Sequence, residues 1–166
     1  RQDKNRFVYV PEGKKAKFVP NQVYDFPVGS ALVKTFSYPQ ALNGNRMLLE
    51  TRLLLNQESG WAAHTYVWNK EQTEAYLKVT GHTHESMMYY LNGEKKYVDY
   101  RVTNQNQCKE CHLKKDAIMP IGPKSRNLNF SIQYQEKLAN QISYWMEKEI
   151  VESHVPLDLI VNWSDK

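Results

Sequence analysis

Cysteine is nearly missing from this chain. Its 166 residues hold two, Cys108 and Cys111, three positions apart. A pair so close in sequence cannot staple a small fold, which excludes the disulfide-scaffold class. Glycine and proline are also sparse, at seven each, too few for a collagenous or linker-like chain. No apolar run approaches the roughly 20 residues that a membrane-spanning helix needs. Charge of one sign is lacking as well. The 22 basic and 18 acidic residues leave a net charge of +4, spread along the chain, so no nucleic-acid partner is expected. There is no internal repeat and no low-complexity tract. The opening Arg1-Gln2-Asp3-Lys4-Asn5-Arg6 lacks the apolar stretch of a secretory signal. It reads as the start of a processed or excised segment.

Aromatics are what the chain has in quantity: 11 Tyr, 4 Trp and 5 Phe. Such residues favour strands and pocket walls. The length suits one domain, and a chain this long buries roughly 70% of its unfolded surface.

The first hundred residues read as short strands between turns. Phe7-Val8-Tyr9-Val10 stops at Pro11-Glu12-Gly13, and Val23 to Phe26 stops at Pro27-Val28-Gly29. Ala31–Phe36, Met47–Leu55, Trp61–Trp68 and Ala75–Val79 follow, with turns at Asn43-Gly44-Asn45, Glu58-Ser59-Gly60 and Asn69–Gln72. Asn92-Gly93 sits between Met88–Leu91 and Lys96–Val102, a hairpin signal. The expected arrangement is an antiparallel meander. After Asn104 comes a loop region running to Phe130. From Ser131 onward Tyr134, Leu138, Ile142, Trp145 and Ile150 fall near one helical face, with Asn129 or Ser131 as the cap. These readings give an α+β chain in one domain, 1–166. It has a strand-rich part at 1–103, an attachment loop at 104–130 and a C-terminal helix at 131–153.

The loop holds Cys108-Lys109-Glu110-Cys111-His112. Cys-x-x-Cys-His is the signature of covalent haem c attachment. Two thiols two residues apart add to the two vinyl groups on one edge of the ring. The histidine that follows becomes the proximal iron ligand. Its other ring nitrogen needs a partner, usually a carbonyl, and Pro123 is the expected source. Three other readings compete. Cys108 and Cys111 with His82 and His84 make a Cys2His2 zinc set. A thioredoxin-like redox pair would want a βαβ pattern, which is not visible. The third is chance occurrence.

Several stretches resemble a family of exported bacterial c-type cytochromes, often di-haem. They are Phe7–Gly13, Phe26–Phe36, Glu50–Leu54, Tyr66–Asn69, Asn106–His112 and Pro120–Asn129. The resemblance spans nearly the whole chain. It implies one covalent haem c, a periplasmic or exported location and a redox partner protein. Members often carry a second Cys-x-x-Cys-His, which this sequence lacks. The chain therefore reads as the first haem domain of a longer protein, a part of a multi-subunit haem protein, or a one-haem member. A looser similarity links it to the lysine-crosslinked, hydroxylamine-oxidising cytochromes and to the β-sheet form of cytochrome c-prime. In the former a strand lysine upstream of a Gly-Trp bonds the haem. Here no lysine lies between Lys34 and Lys70, so the crosslink does not carry over.

A low-spin haem needs a sixth ligand. Met119 follows His112 by seven residues, and its six-residue tether reaches roughly 20 Å when extended. Met146 reads as core on the helix, Met87 and Met88 as strand residues on opposite sides, and His64 as a partly buried strand histidine or a distal-side group. His154 sits near the expected helix end, where the dipole favours a cation. Arg126, Lys124 and Arg101 are candidates for the haem propionates. Lys114-Lys115 would mark an exposed haem edge that steers an acidic partner. The function expected is electron transport by an iron-bearing cytochrome c. The alternative is a five-coordinate haem that binds or oxidises a small gas or nitrogen ligand. A zinc-stabilised binding domain ranks below both.

Overall fold

A computed structural model describes residues 2–39, 46–104, 107, 112–114, 116–152 and 154–161. The expected turn at Asn43–Asn45, both cysteines and Lys115 lie outside the described residues. Among the described residues the architecture is mostly antiparallel β-sheet with one α-helix of more than a turn, as the strand and turn pattern leads one to expect.

Five strands form the main sheet in sequence order. They are β1 (Asp3–Tyr9), β2 (Ala31–Pro39), β3 (Arg46–Gln57), β4 (Gly60–Trp68) and β5 (Ala75–Leu77). Each neighbour pair is antiparallel. Glu58-Ser59 closes the β3–β4 hairpin, with Gly60 at φ +105°. The meander is not continuous beyond β5. Strands β6 (His82–Leu91) and β7 (Glu94–Val102) form a separate two-stranded hairpin. Its two-residue turn places both Asn92 (φ 52°) and Gly93 (φ 84°) in the left-handed region, which matches the right-handed strand twist.

Register decides which side chains share a face. Val8, Leu32, Leu54 and Ala63 stand directly opposite one another across β1 to β4, so they share the inner face. Between the Phe36–Glu50 and Ser37–Leu48 pairs, β3 carries one extra residue, Leu49. The bulge turns Leu49 and Glu50 to the same side, and both are fully buried. The inner face is covered in two halves. At one end Val8, Leu32 and Trp61 pack on Ala16, Tyr24, Phe26, Ile142 and Trp145. At the other, Tyr38, Leu49 and Val67 pack on Tyr100 and Val102 of the β6–β7 hairpin.

The helix is shorter than the 131–153 expected from periodicity. Ser131–Gln133 (β10) and Leu138–Asn140 (β11) form a hairpin, and only Gln141–Glu147 (α1) is helical. The supposed apolar face has no core at its first turn: Leu138 is 67% exposed, and Tyr134 stacks instead on Tyr144 at 3.6 Å. Asn140 is the cap, its side chain accepting from the Ile142 and Ser143 amides. Glu149 at φ 57° turns the chain away. His154 therefore lies seven residues past the helix, beyond the reach of its dipole. The loop region is more ordered than expected. Leu113–Lys114 (β8) and Ala117–Ile118 (β9) pair as a small hairpin, and β9 lies beside β4. Among the described residues, no helix is long and apolar enough to cross a membrane.

Candidate haem-attachment site

The segment that bears the motif opens with a reciprocal cap. The Gln107 amide donates to Asn104 Oδ1 at 2.9 Å, and the Asn104 amide donates to Gln107 Oε1 at 3.0 Å. This is the arrangement of a capping box, in which an Asx/Ser/Thr side chain and a residue three positions on satisfy each other's amides. The signal Asn104-x-x-Gln107 was there to be read and fixes the entry to the motif. Gln107 and His112, on either side of the cysteines, both have helical conformation.

Downstream, the β8–β9 register brings His112 opposite Met119. The Met119 amide donates to the His112 carbonyl at 2.7 Å. His112 Nδ1 lies 2.9 Å from the Met119 carbonyl. A carbonyl only accepts, so Nδ1 carries the proton, and in the neutral ring Nε2 then keeps its lone pair. That tautomer suits a metal-ligating histidine, with the ring oriented by a backbone oxygen behind it. Beside His112 two apolar side chains are open to solvent: Leu113 and Met119 are 50% and 43% exposed. A flat apolar prosthetic group would cover such side chains, so the residues present fit a haem.

One expectation changes here. The oxygen behind His112 is that of Met119, not Pro123. The Pro123 carbonyl accepts from the Tyr24 amide at 3.3 Å, and Ser125 Oγ donates to the Tyr24 hydroxyl at 2.8 Å. Pro123 thus belongs to the anchor that ties the loop to the first core half. Met119 is tied to His112 through both its amide and its carbonyl, and its side chain is exposed.

The other singled-out residues are dispersed. Met146 packs against the first core half and Met87 against the second; Met88 pairs with Tyr97 in the β6–β7 hairpin. His64 is half-buried and opposes Leu53 on the outer sheet face. Arg101 lines an open cleft of about 350 Å³ with His82, Thr83, Asn104 and Gln107, beside the entry to the motif. Lys124 bridges to Val23, and Arg126 is exposed. The His82 and His84 rings meet edge-on at 4.6 Å. His84 Nε2 lies 3.2 Å from the Leu49 carbonyl, and burial holds its pKa below the usual imidazole value. Among the described residues, no group of three or more His, Cys, Asp or Glu is placed to hold a metal ion.

The fold also buries a carboxylate that the sequence does not single out. Glu50 is fully buried and accepts from Arg52 through both carboxylate oxygens, each at 2.8 Å. It also accepts from the Tyr100 hydroxyl at 2.6 Å. Burial, and then the carboxylate beside it, push the Tyr100 phenol well above its ordinary pKa. The hint in the sequence is a lone acid two residues before Arg52 in a leucine-rich strand.

No family model matches the chain, and no curated protein or solved structure matches it either.

Proposed function

We propose that this chain is a c-type cytochrome with one covalent haem, acting in electron transfer in the periplasm or another exported location, with a redox protein as partner. Cys108 and Cys111 would hold the ring through thioethers and His112 would ligate the iron. The observation that carries the reading is the His112 Nδ1 contact to the Met119 carbonyl. It orients a histidine, directly after Cys-x-x-Cys, with Nε2 presented for ligation. A bound haem iron would supply one-electron exchange without bond changes in a substrate. The chain's own work is then to hold and orient His112, and to leave one haem edge near the surface. The open apolar side chains around His112 suit such an edge.

A second reading keeps its place because of Met119. Its amide and its carbonyl are both tied to His112, and if that holds its thioether away from the iron, the site lacks the sixth ligand expected from the sequence. A five-coordinate site that binds a small gas or nitrogen ligand then follows. The absorption spectrum of the dithionite-reduced protein separates the two. Sharp, split visible bands support electron transfer, and a broad high-spin spectrum supports ligand binding. A colourless protein from a host able to attach haem c would defeat both and favour the zinc set with His82 and His84.

A further inference from the structure

Three cations stand in a row across the inner face of the main sheet. Arg6 on β1 is directly opposite Lys34 on β2, and Lys34 is directly opposite Arg52 on β3. Thr65 on β4 ends the row. Lys4 stands one step along β1 on the same face. The Phe36 ring collects three of the four, with Lys34 and Arg52 each 4.9 Å and Lys4 5.7 Å from its centroid. Like charges directly opposite across strands destabilise a sheet, so such a row is a cost to the fold.

The row has too little acid to balance it. Glu50 is the only carboxylate on this face of β1 to β4, and both its oxygens are engaged by Arg52 and Tyr100. Neither Arg6 nor Lys34 has a carboxylate within ion-pair distance among the described residues. Burial and the neighbouring Arg6, Lys4 and Arg52 all push the Lys34 ammonium below its usual pKa. Meanwhile a fully buried carboxylate with a tyrosine behind it fixes one end of the row. A bidentate pair of this kind orients its guanidinium. Burying an ion is costly, and here the gain is an arginine held in place beside two unpaired cations.

We propose that the Arg6–Lys34–Arg52 row is a seat for a carboxylate ligand. Charge-assisted bonds from two or three cations to one carboxylate group would offset the repulsion along the row. Two sources supply that chemistry. One is a diffusible carboxylate. The other is the pair of propionates on the haem, and that source rests on the function proposed above. The row ends at β4, and β4 lies beside β9, which carries the segment next to His112.

The test uses the full chain isolated from a host that attaches haem c, with malonate as probe against chloride at constant ionic strength. Lys34→Met removes the central charge, and Arg6→Gln removes one at an exposed position. If a diffusible carboxylate is the ligand, malonate raises the unfolding midpoint saturably, and its apparent affinity falls roughly tenfold in Lys34→Met. If propionates are the ligand, malonate does nothing. The reduction potential of Lys34→Met then falls, and its propionate-linked pH dependence moves to higher pH. A change of midpoint in the variants without either response is relief of repulsion or lost packing, and it overturns the seat. A colourless preparation defeats the haem reading alone. The malonate arm then decides this one, and no malonate response overturns it.

Discussion

Met119 and Glu50 show how much a single position depends on what stands opposite it. Met119 was readable as a soft ligand on a long tether. Its amide and its carbonyl are both tied to His112, so under the proposed function its thioether would serve as cover beside the ring. Met119→Ala is therefore expected to leave the visible absorption bands of the reduced protein in place. A shift of those bands would restore Met119 as an iron ligand. Glu50 is the opposite case, unremarkable in sequence and fully buried in the fold. Glu50→Gln removes one partner of a buried ion pair and is expected to cost about 3 kcal/mol. A urea unfolding curve measures this directly. The Cys108-x-x-Cys111-His112 signature is legible because it depends on spacing alone, while both cysteines lie outside the described residues. The orienting carbonyl is not legible, because it depends on a register that two-residue strands do not announce.

At the scale of elements, the strands and tight turns were the most legible part. Asn92-Gly93 dictates a hairpin through local backbone preference, and Glu58-Ser59-Gly60 does so through the glycine at its end. The C-terminal element departs from its expected helix because five apolar residues at helical spacing do not guarantee a core for all of them. Only Ile142 and Trp145 are buried within α1, while Leu138 faces solvent on a hairpin strand. A seven-residue helix has little stability of its own and depends on its cap and on Ile142. Asn140→Ala is expected to cost about 1 kcal/mol. Ile142→Ala, at a fully buried site, should cost about 3 kcal/mol through the cavity it leaves. Chemical denaturation of the two variants checks both values and their order. Equal losses would mean that the helix packs more loosely than its burial indicates.

For the molecule as a whole, the inner face of the main sheet is the organising surface. One half is closed by the N-terminal segment and α1, the other by the β6–β7 hairpin. His84 sits at that second closure, bonded to the Leu49 carbonyl and facing His82, Tyr100 and the buried Glu50. Its pKa is held down in the folded state, first by burial. The unfolded chain therefore takes up the proton more readily. Stability should be undiminished above the ordinary histidine pKa and fall as pH drops through it. Thermal unfolding followed between about pH 8 and 5 reads this out, and His84→Gln should flatten the slope. The division into two core halves was not legible in the sequence, because it depends on one extra residue at Leu49 and on where β6–β7 folds back. The attachment motif lies between the two halves in the chain, after Val102 of the second and before Leu128 of the first. Whether this motif carries haem c is read from the visible absorption of the protein, made in a host able to attach haem c, before and after acidic acetone extraction. Covalent attachment keeps the colour with the polypeptide. A colourless chain, or colour that leaves with the solvent, would overturn the proposed function.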